Sequence, residues 1–497
     1  MKRGAFAVTI ERMPLPSGPS SSVEAQTFAW YSRPHSFLAE CAAEYGDCFT
    51  IHVQGWGDQV VVSHPDAVRE VFTADAEVLH GGKGNHFLLP LFRQGSLFVL
   101  DGEHHRRQRK LLMPAFHGSA LRGYSRAIAD TARALCRTWP ADRPVPMHDK
   151  LLELAMEIIL LVMFGIREEE ARYHPVKRQL ALLARTVRTS VASASAEAAS
   201  AAAVHFARVR GDLDALLIEE VAHRRERPDP TRHDVLALLM ESRDEAGLPL
   251  SDEELRDEMV TLLSAGHDTV ATTLAWAVLA LDEHPEVRAH VLQEVDALGP
   301  EPDPDALARL PYLGAVVDEV MRLHPVVPAV SRQVMKPFRV AGHDLEPGAR
   351  VTAAVYLAHR RAEAFPAPDR FRPERFLERV PSPFEFFPFG GGVRRCIGLA
   401  FSLHQMRIVL GTILSEVELR GAMRGPTREV RHGLLVAPSE GARMTARRRE
   451  SVSRSNGNDQ GCAPDQGGSA RPAWNRASGD PPKNDTIDQE GTCRTRS

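Results

Sequence analysis

The strongest constraint on the fold of this chain is one long helix, which the sequence predicts over residues 251–283. Ser251 and Glu254 have the spacing of a capping box, in which each side chain bonds the main-chain N–H of the other residue. Apolar side chains then recur at helical period as far as residue 281. His284 and Pro285 end the pattern, because proline has no N–H to continue a helix. With mostly helical patterning from about residue 103 to residue 325, the chain is predicted to be mainly α.

Gly266 lies in the middle of this helix, where glycine costs roughly 1 kcal/mol relative to alanine, so we expect a packing or functional reason for it. It belongs to the segment Ala265-Gly266-His267-Asp268-Thr269. Gly266 and Thr269 share a helix face and could form a shallow groove with a hydroxyl at its edge. The alternative is close helix packing, with the threonine bonded back to its own helix. The motif alone leaves both interpretations open.

Cys396 follows a glycine-rich segment, residues 389–392, and stands directly after Arg394 and Arg395. An apolar pattern of helical period begins after it. A helix N-terminus and neighbouring cations both favour a thiolate, so we expect the pKa of this thiol to be lowered. A thiolate in such a place could be a nucleophile, a metal or haem ligand, or an inert helix cap.

Two further groups of charged residues lie on predicted helices. Glu319 and Arg322 share one face of a helix over residues 313–323, and Arg375 could join them. An exposed ion pair is the simplest interpretation of that spacing, but the apolar flanks favour a buried pair. His105 and Arg109 also share a helix face and could clamp an anionic group, unless they belong to a solvated basic face.

Composition excludes several classes of protein. The net charge of −4 gives no reason to propose a nucleic acid or an anionic membrane as partner. The six cysteines show no CxxC pair and no zinc-site spacing, so we expect reduced thiols and a cytoplasmic setting. The densest apolar run, residues 158–166, is too short to span a bilayer, and the N-terminus resembles no signal peptide.

Three sections of chain are expected. Residues 1–25 are rich in proline and serine and are predicted to be a flexible lead-in, residues 26–446 a folded domain, and residues 447–497 a disordered tail with too few apolar side chains to fold. Short strands are predicted at residues 49–53, 59–62, 332–334, 338–340 and 350–356. The Ala/Ser-rich segment 190–204 is either a surface helix or a mobile lid.

These motifs, in this order and spacing, resemble those of a cytochrome P450, and the resemblance covers roughly residues 26–445. It rests on the cysteine motif, on residues 265–269, on Glu319-x-x-Arg322 and on Pro373-Glu374-Arg375-Phe376. The resemblance implies a mainly α fold with small β-sheets, in which haem b lies between a long central helix and the Cys-loop helix. It also favours a lid at residues 190–204.

The resemblance also implies roles for individual residues. Cys396 would be the iron ligand, Phe389 would pack beside its sulfur, and Gly392 would let the backbone approach the haem. Thr269 would steady the oxygen molecule and its water, and Asp268 would help to deliver protons. Glu319, Arg322 and Arg375 would lock the structure around the cysteine loop. The haem propionates would be held by Arg394, His105, Arg109 and Arg332.

The activity that the resemblance implies is insertion of one atom of O₂ into a hydrophobic small molecule, such as a fatty acid, terpenoid, steroid or polyketide-like compound. The sequence shows no dinucleotide fingerprint or cysteine cluster, so NAD(P)H-derived electrons are expected from a separate ferredoxin or flavodoxin. Arg106, Arg107, Lys110 and Arg395 could form a basic docking face for that donor to a monomeric enzyme. The alternatives are a peroxygenase or isomerase, a non-enzymatic haem carrier, and a helical protein with an incidental cysteine.

Overall fold

The computed structural model describes residues 14–89, 92–166, 170, 173–191, 196–422, 425 and 427–449. The helices are α1 Val23–Ser32, α2 Pro34–Tyr45, α3 Pro65–Thr73, α4 Gly81–Gly84, α5 Gly102–Leu112, α6 Ser119–Cys136, α7 Met147–Phe164, α8 Tyr173–Val191, α9 Ala196–Glu226, α10 Val235–Glu241, α11 Asp252–Glu283, α12 Pro285–Ala297, α13 Pro304–Ala308, α14 Pro311–Leu323, α15 Val355–Ala358, α16 Arg375–Glu378 and α17 Leu399–Glu416. The strands are β1 Cys48–Val53, β2 Gly57–Val62, β3 Leu79–His80, β4 Val145–Pro146, β5 Val330–Val334, β6 Phe338–Val340, β7 His343–Leu345, β8 Arg350–Ala353, β9 Val417–Gly421, β10 Glu429–His432, β11 Leu435–Pro438 and β12 Arg443–Arg448.

The long helix is α11, and it begins with the capping box that the sequence predicts. Ser251 Oγ accepts the N–H of Glu254 at 3.1 Å, and a Glu254 carboxylate oxygen accepts the N–H of Ser251 at 2.8 Å. The helix packs against α7, α14 and α17, and most of its side chains are buried. The prediction of a mainly α fold with small sheets is confirmed. None of the described helices is both long and apolar enough to cross a membrane.

The strands form four small sheets. The largest has the order β1-β2-β8-β5-β3, in which β2 and β8 run parallel and the other neighbours run antiparallel. The other sheets are β4-β12-β9, β10-β11 and β6-β7. The strand predicted at residues 350–356 is too long, because the parallel pairing with β2 ends at Val62–Ala353 and the chain then turns into α15.

The folded part of the chain extends beyond both predicted boundaries. Thr50 N–H donates to the carbonyl of Ser17 at 3.1 Å, and α1 already begins at Val23, so the lead-in is shorter than 25 residues. At the other end, β12 runs to Arg448 along β9, because a ladder of main-chain hydrogen bonds orders this polar segment. The tail from residue 450 and part of the proposed lid, residues 192–195, lie outside the described residues.

Candidate functional site

One cavity of about 490 Å³ lies between α11, α5, β5 and the loop that carries Cys396. It also extends to residues that the sequence analysis did not single out, among them Trp30, Trp56 and Arg431. These three lie far apart in the chain, and no local pattern marks them. The cavity is lined by eight of the nine candidate site residues: His105, Arg109, Asp268, Thr269, Arg332, Phe389, Arg394 and Cys396.

The ninth candidate, Gly392, shapes the Cys396 loop from outside the cavity. Its φ is +63°, a conformation that side chains rarely adopt. A Cβ there would also lie 2.2 Å from the main-chain oxygen of Phe72 in α3. This contact with α3 gives a packing reason for the glycine, and the expectation that Gly392 lets the backbone approach the haem stays a prediction. Within the loop, Cys396 N–H donates to the carbonyl of Phe389 at 2.9 Å, which orients the cysteine.

The expected lowering of the Cys396 pKa is wrong for the free thiol. Burial raises the pKa of this thiol, and this effect exceeds the lowering by the Gly398 N–H and by the side chains of Arg109 and Arg395. The side chain is accessible from the cavity, but protein surrounds the cavity, and desolvation therefore dominates. The helix α17 begins at Leu399, three residues later, so its N-terminal N–H groups act on the sulfur only in part.

Two arginines in the cavity wall, buried Arg332 and largely buried Arg394, are bound mainly by main-chain oxygens. Arg332 donates to the carbonyls of Ser331 at 2.9 Å and Gly391 at 3.3 Å. Arg394 donates to carbonyls of residues 97 and 100 and lies 3.2 Å from a carboxylate oxygen of Asp101. The pKa of each arginine is lowered to about 10, mainly by burial, and at Arg332 the proximity of Arg394 contributes to the lowering.

His105 and Arg109, both on α5, line the cavity together with these two arginines. Burial and the neighbouring arginines lower the pKa of His105 to about 3, so the imidazole is neutral. Burial also lowers the pKa of Arg109, whose charge has no carboxylate partner within the described part of the chain. Among the described residues, Asp101 is therefore the one acid that pairs with any of these three arginines, and it pairs with Arg394. Such a group suits a ligand that brings its own negative charges.

The segment 265–269 fits both interpretations of its sequence. A Cβ on Gly266 would lie 2.3 Å from Ile159 Cδ1, so the glycine does allow close packing of α7 on α11. Thr269 Oγ1 donates to the carbonyl of Ala265 at 2.8 Å, the back-bonded arrangement. Both residues nevertheless line the cavity. Asp268 lies beside them, with a carboxylate oxygen 3.2 Å from Nε2 of His267, a partner that the sequence analysis missed.

Glu319, Arg322 and Arg375 form a buried network behind the Cys396 loop. Glu319 accepts two hydrogen bonds from Arg322, at 2.7 and 2.9 Å, and one from Arg375 at 3.1 Å. Arg322 also donates to the carbonyl of His359, whose Nε2 accepts the N–H of Phe387 at 2.9 Å. His359 was not predicted, and it connects the network to the chain just before the cysteine loop.

The expected basic docking face is largely neutralised by acids of this chain. Only Arg395 lacks an acidic partner among the described residues. The other three cations are paired: Arg106 with Glu103, Arg107 with Asp244 and Glu254, and Lys110 with Glu245.

Comparison with known proteins identifies the family. The family model described as cytochrome P450 matches residues 16–445. A relative numbered 135B1, from Mycobacterium bovis and Mycobacterium tuberculosis, is 36% identical over 446 residues, which are 89% of this chain and 93% of the relative. The chain is a cytochrome P450. A second P450 of Mycobacterium tuberculosis, numbered 137, is 35% identical over 443 residues, 88% of this chain and 90% of its own length.

Solved cytochromes P450 share the fold. Cyanobacterial CYP120A1 with bound retinoic acid has a TM-score of 0.78 at 24% identity and covers 88% of this P450 and 100% of its own chain. The heme domain of cytochrome P450DA has the same TM-score at 25% identity and covers 88% of this chain and 98% of its own.

The cavity of this P450 fits the haem that its family implies. It offers one thiol, Cys396, and three arginines whose charges Asp101 compensates only in part, which matches an iron porphyrin with two carboxylates. Iron coordination would remove the proton of the Cys396 thiol, whatever its free pKa. As a member of this family the P450 is a haem-thiolate monooxygenase that acts on O₂ and an organic substrate.

Proposed function

We propose that this P450 hydroxylates or epoxidises a hydrophobic small molecule of the fatty acid, terpenoid, steroid or polyketide class. The observation that carries the proposal is the single cavity in which Cys396, Asp268 and Thr269 share space with a largely apolar wall. That wall includes Leu88, Phe92, Phe98, Leu180, Leu183, Leu262, Val326, Val327 and Leu434.

The bound haem supplies the activation of O₂ and the transfer of one oxygen atom. Cys396 is proposed to hold the iron, and Arg109, Arg332 and Arg394 the propionates, with neutral His105 as a hydrogen-bond partner. The cationic arginines suit this role because their buried charges are only partly compensated by Asp101.

Thr269 and Asp268 are proposed to hold and move protons at the cavity. The Thr269 hydroxyl donates to Ala265, so its lone pairs remain to accept a hydrogen bond from water or substrate. Asp268 lies on the neighbouring position of α11, and His267 contacts its carboxylate. A largely apolar wall disfavours bulk water, which supports the proposal that protons reach the site through these side chains.

The proposed electron source is a separate ferredoxin- or flavodoxin-type protein reduced by NAD(P)H. Val393 is 54% exposed, and Arg395 is exposed beside it in the Cys396 loop. An apolar side chain next to an uncompensated cation suits an acidic partner with a small apolar contact. The four described cysteines are free thiols, which supports the proposed reducing, cytoplasmic setting. The proposed enzyme is a monomer.

The test is the absorption spectrum of the dithionite-reduced, haem-loaded protein with carbon monoxide. We expect the red-shifted Soret band of thiolate-ligated haem in the native chain and its loss in Cys396→Ala. Persistence of the band in that variant would refute the assignment of Cys396. Turnover should then require O₂ with a reduced ferredoxin, and turnover with peroxide alone would instead indicate a peroxygenase.

A further inference from the structure

Arg431 on β10 is a partly buried cation that the proposed chemistry does not use. It lines the same cavity as Cys396 but lies on a different element from the cations on α5, β5 and the cysteine loop. Its Nε and Nη1 atoms are buried, and no described group accepts a hydrogen bond from them. Burial lowers the pKa of Arg431 to about 10, and only the nearby Tyr31 phenol opposes this effect. Burying part of a cation without an acceptor costs free energy, which indicates that a ligand supplies the missing negative charge.

The acid nearest to Arg431 in sequence is bound elsewhere. Glu429 stands two positions earlier on β10, but one of its carboxylate oxygens lies 2.8 Å from Nδ1 of His35. The other oxygen lies 3.6 Å from Nδ1 of His324. These two histidines outweigh burial and hold the pKa of Glu429 well below its usual range. Glu429 is therefore an anion bound by His35 and His324 and is not the partner of Arg431.

A second unsatisfied donor lies in the same part of the cavity wall. Trp30 on α1 is 4% exposed, and its indole Nε1 has no hydrogen-bond partner among the residues described. The helix α1 contacts β10, and Trp30 lines the cavity together with Arg431. Trp56 packs edge-on against Trp30 with ring centroids 6.1 Å apart, and it also lines the cavity. Two donors without acceptors thus stand in an aromatic wall.

We propose that the substrate carries a carboxylate, which Arg431 and the Trp30 indole N–H bind while the apolar body extends along the cavity towards Cys396. One guanidinium and one neutral N–H match a single negative charge, which favours a carboxylate over a doubly charged phosphate. This inference rests on the proposed function and narrows its substrate class to hydrophobic acids. Arg431 and Trp30 would act as specificity-determining residues, with no part in the chemical step.

The test is isothermal titration calorimetry on the full, haem-loaded chain with dodecanoic acid and methyl dodecanoate. We expect the acid to bind at least about tenfold more tightly than the ester, because a charge-assisted hydrogen bond is lost in the ester. Arg431→Gln should weaken binding of the acid by about tenfold to a hundredfold and leave the ester unchanged. Trp30→Phe should weaken binding of the acid by a smaller factor, because it removes one neutral hydrogen-bond donor and keeps an aromatic ring.

The matched control is Arg339→Gln, because Arg339 is 69% exposed and pairs with Asp344 on the surface. It should change neither affinity. The proposal would be overturned if the native chain bound the acid and the ester with equal affinity. It would also be overturned if Arg431→Gln and Trp30→Phe each weakened binding of the ester as much as binding of the acid. Calorimetry needs no turnover, so a missing thiolate-haem spectrum would refute the proposed function while leaving the preference for acids measurable.

Discussion

Replacing Glu319 by glutamine is expected to destabilise the protein by about 3 kcal/mol, because it leaves two buried arginines without their anion. The side chains of Glu319 and Arg322 are both 0% exposed, and that of Arg375 is 6% exposed. Glu319 accepts four hydrogen bonds, three from these arginines and one from the N–H of Arg372 at 2.8 Å. Glutamine keeps the size of the side chain but removes the charge and one acceptor.

The magnitude follows from the burial of the whole network. Removing one partner of a buried ion pair typically costs about 3–5 kcal/mol. We expect the lower end, because Arg322 keeps its bonds to the carbonyls of His359, Pro368 and Arg370. A loss of this size is a large part of the roughly 5–15 kcal/mol by which folded proteins are stable.

The assay is urea unfolding of the haem-loaded protein, followed by circular dichroism and by the Soret band. Glu153→Gln is the matched control, since Glu153 pairs with Lys150 at the same i, i+3 spacing but is 43% exposed. That exposed pair should contribute less than about 1 kcal/mol. If Glu319→Gln destabilised the protein no more than Glu153→Gln, the network would not be the stabilising element that its burial indicates.

Two further changes test the site and its support. Thr269→Val should lower the yield of product per NADPH consumed by about tenfold or more, because it removes the hydroxyl. Thr269→Ser keeps the hydroxyl and should retain the native yield. Equal yields from the two variants would exclude a role for the hydroxyl. Burial and nearby Arg322 lower the pKa of His359 to about 3, below its value of roughly 6.5 in an unfolded chain. The unfolded state therefore binds more protons between these values, and stability should fall by up to about 1.4 kcal/mol per pH unit as the pH drops below 6.5. His359→Gln keeps an acceptor for Phe387 and should flatten this slope in urea unfolding; an unchanged slope would contradict the assignment.

Local patterns in the sequence predicted the elements that are stabilised by interactions between residues close together in the chain. The α11 helix follows from its capping box and its apolar period, since both act within a few residues. The network of Glu319 and Arg322 was predictable from i, i+3 spacing and apolar flanks. The strand after residue 350 was overestimated, because its end depends on where β2 stops and not on its own residues.

The pKa shifts and charge pairing at the site could not be predicted from neighbouring residues in the sequence. The sign of the Cys396 pKa shift depends on how much protein surrounds the sulfur, and neighbouring residues in sequence do not report that. In the same way the basic face at Arg107 is neutralised by Asp244 and Glu254, more than a hundred residues away. Charge pairing across such distances is set by packing.

The sequence by itself determined the family, the central helix and the cysteine that the iron requires, because these depend on short motifs in a fixed order. Only the tertiary structure decided which side chains share the cavity and which charges there lack partners. Arg431 and Trp30 come from a strand and a helix about four hundred residues apart, and only folding brings their unsatisfied donors to one wall. The substrate selectivity that we propose therefore rests on side chains that no motif marks, since recognition depends on proximity in space.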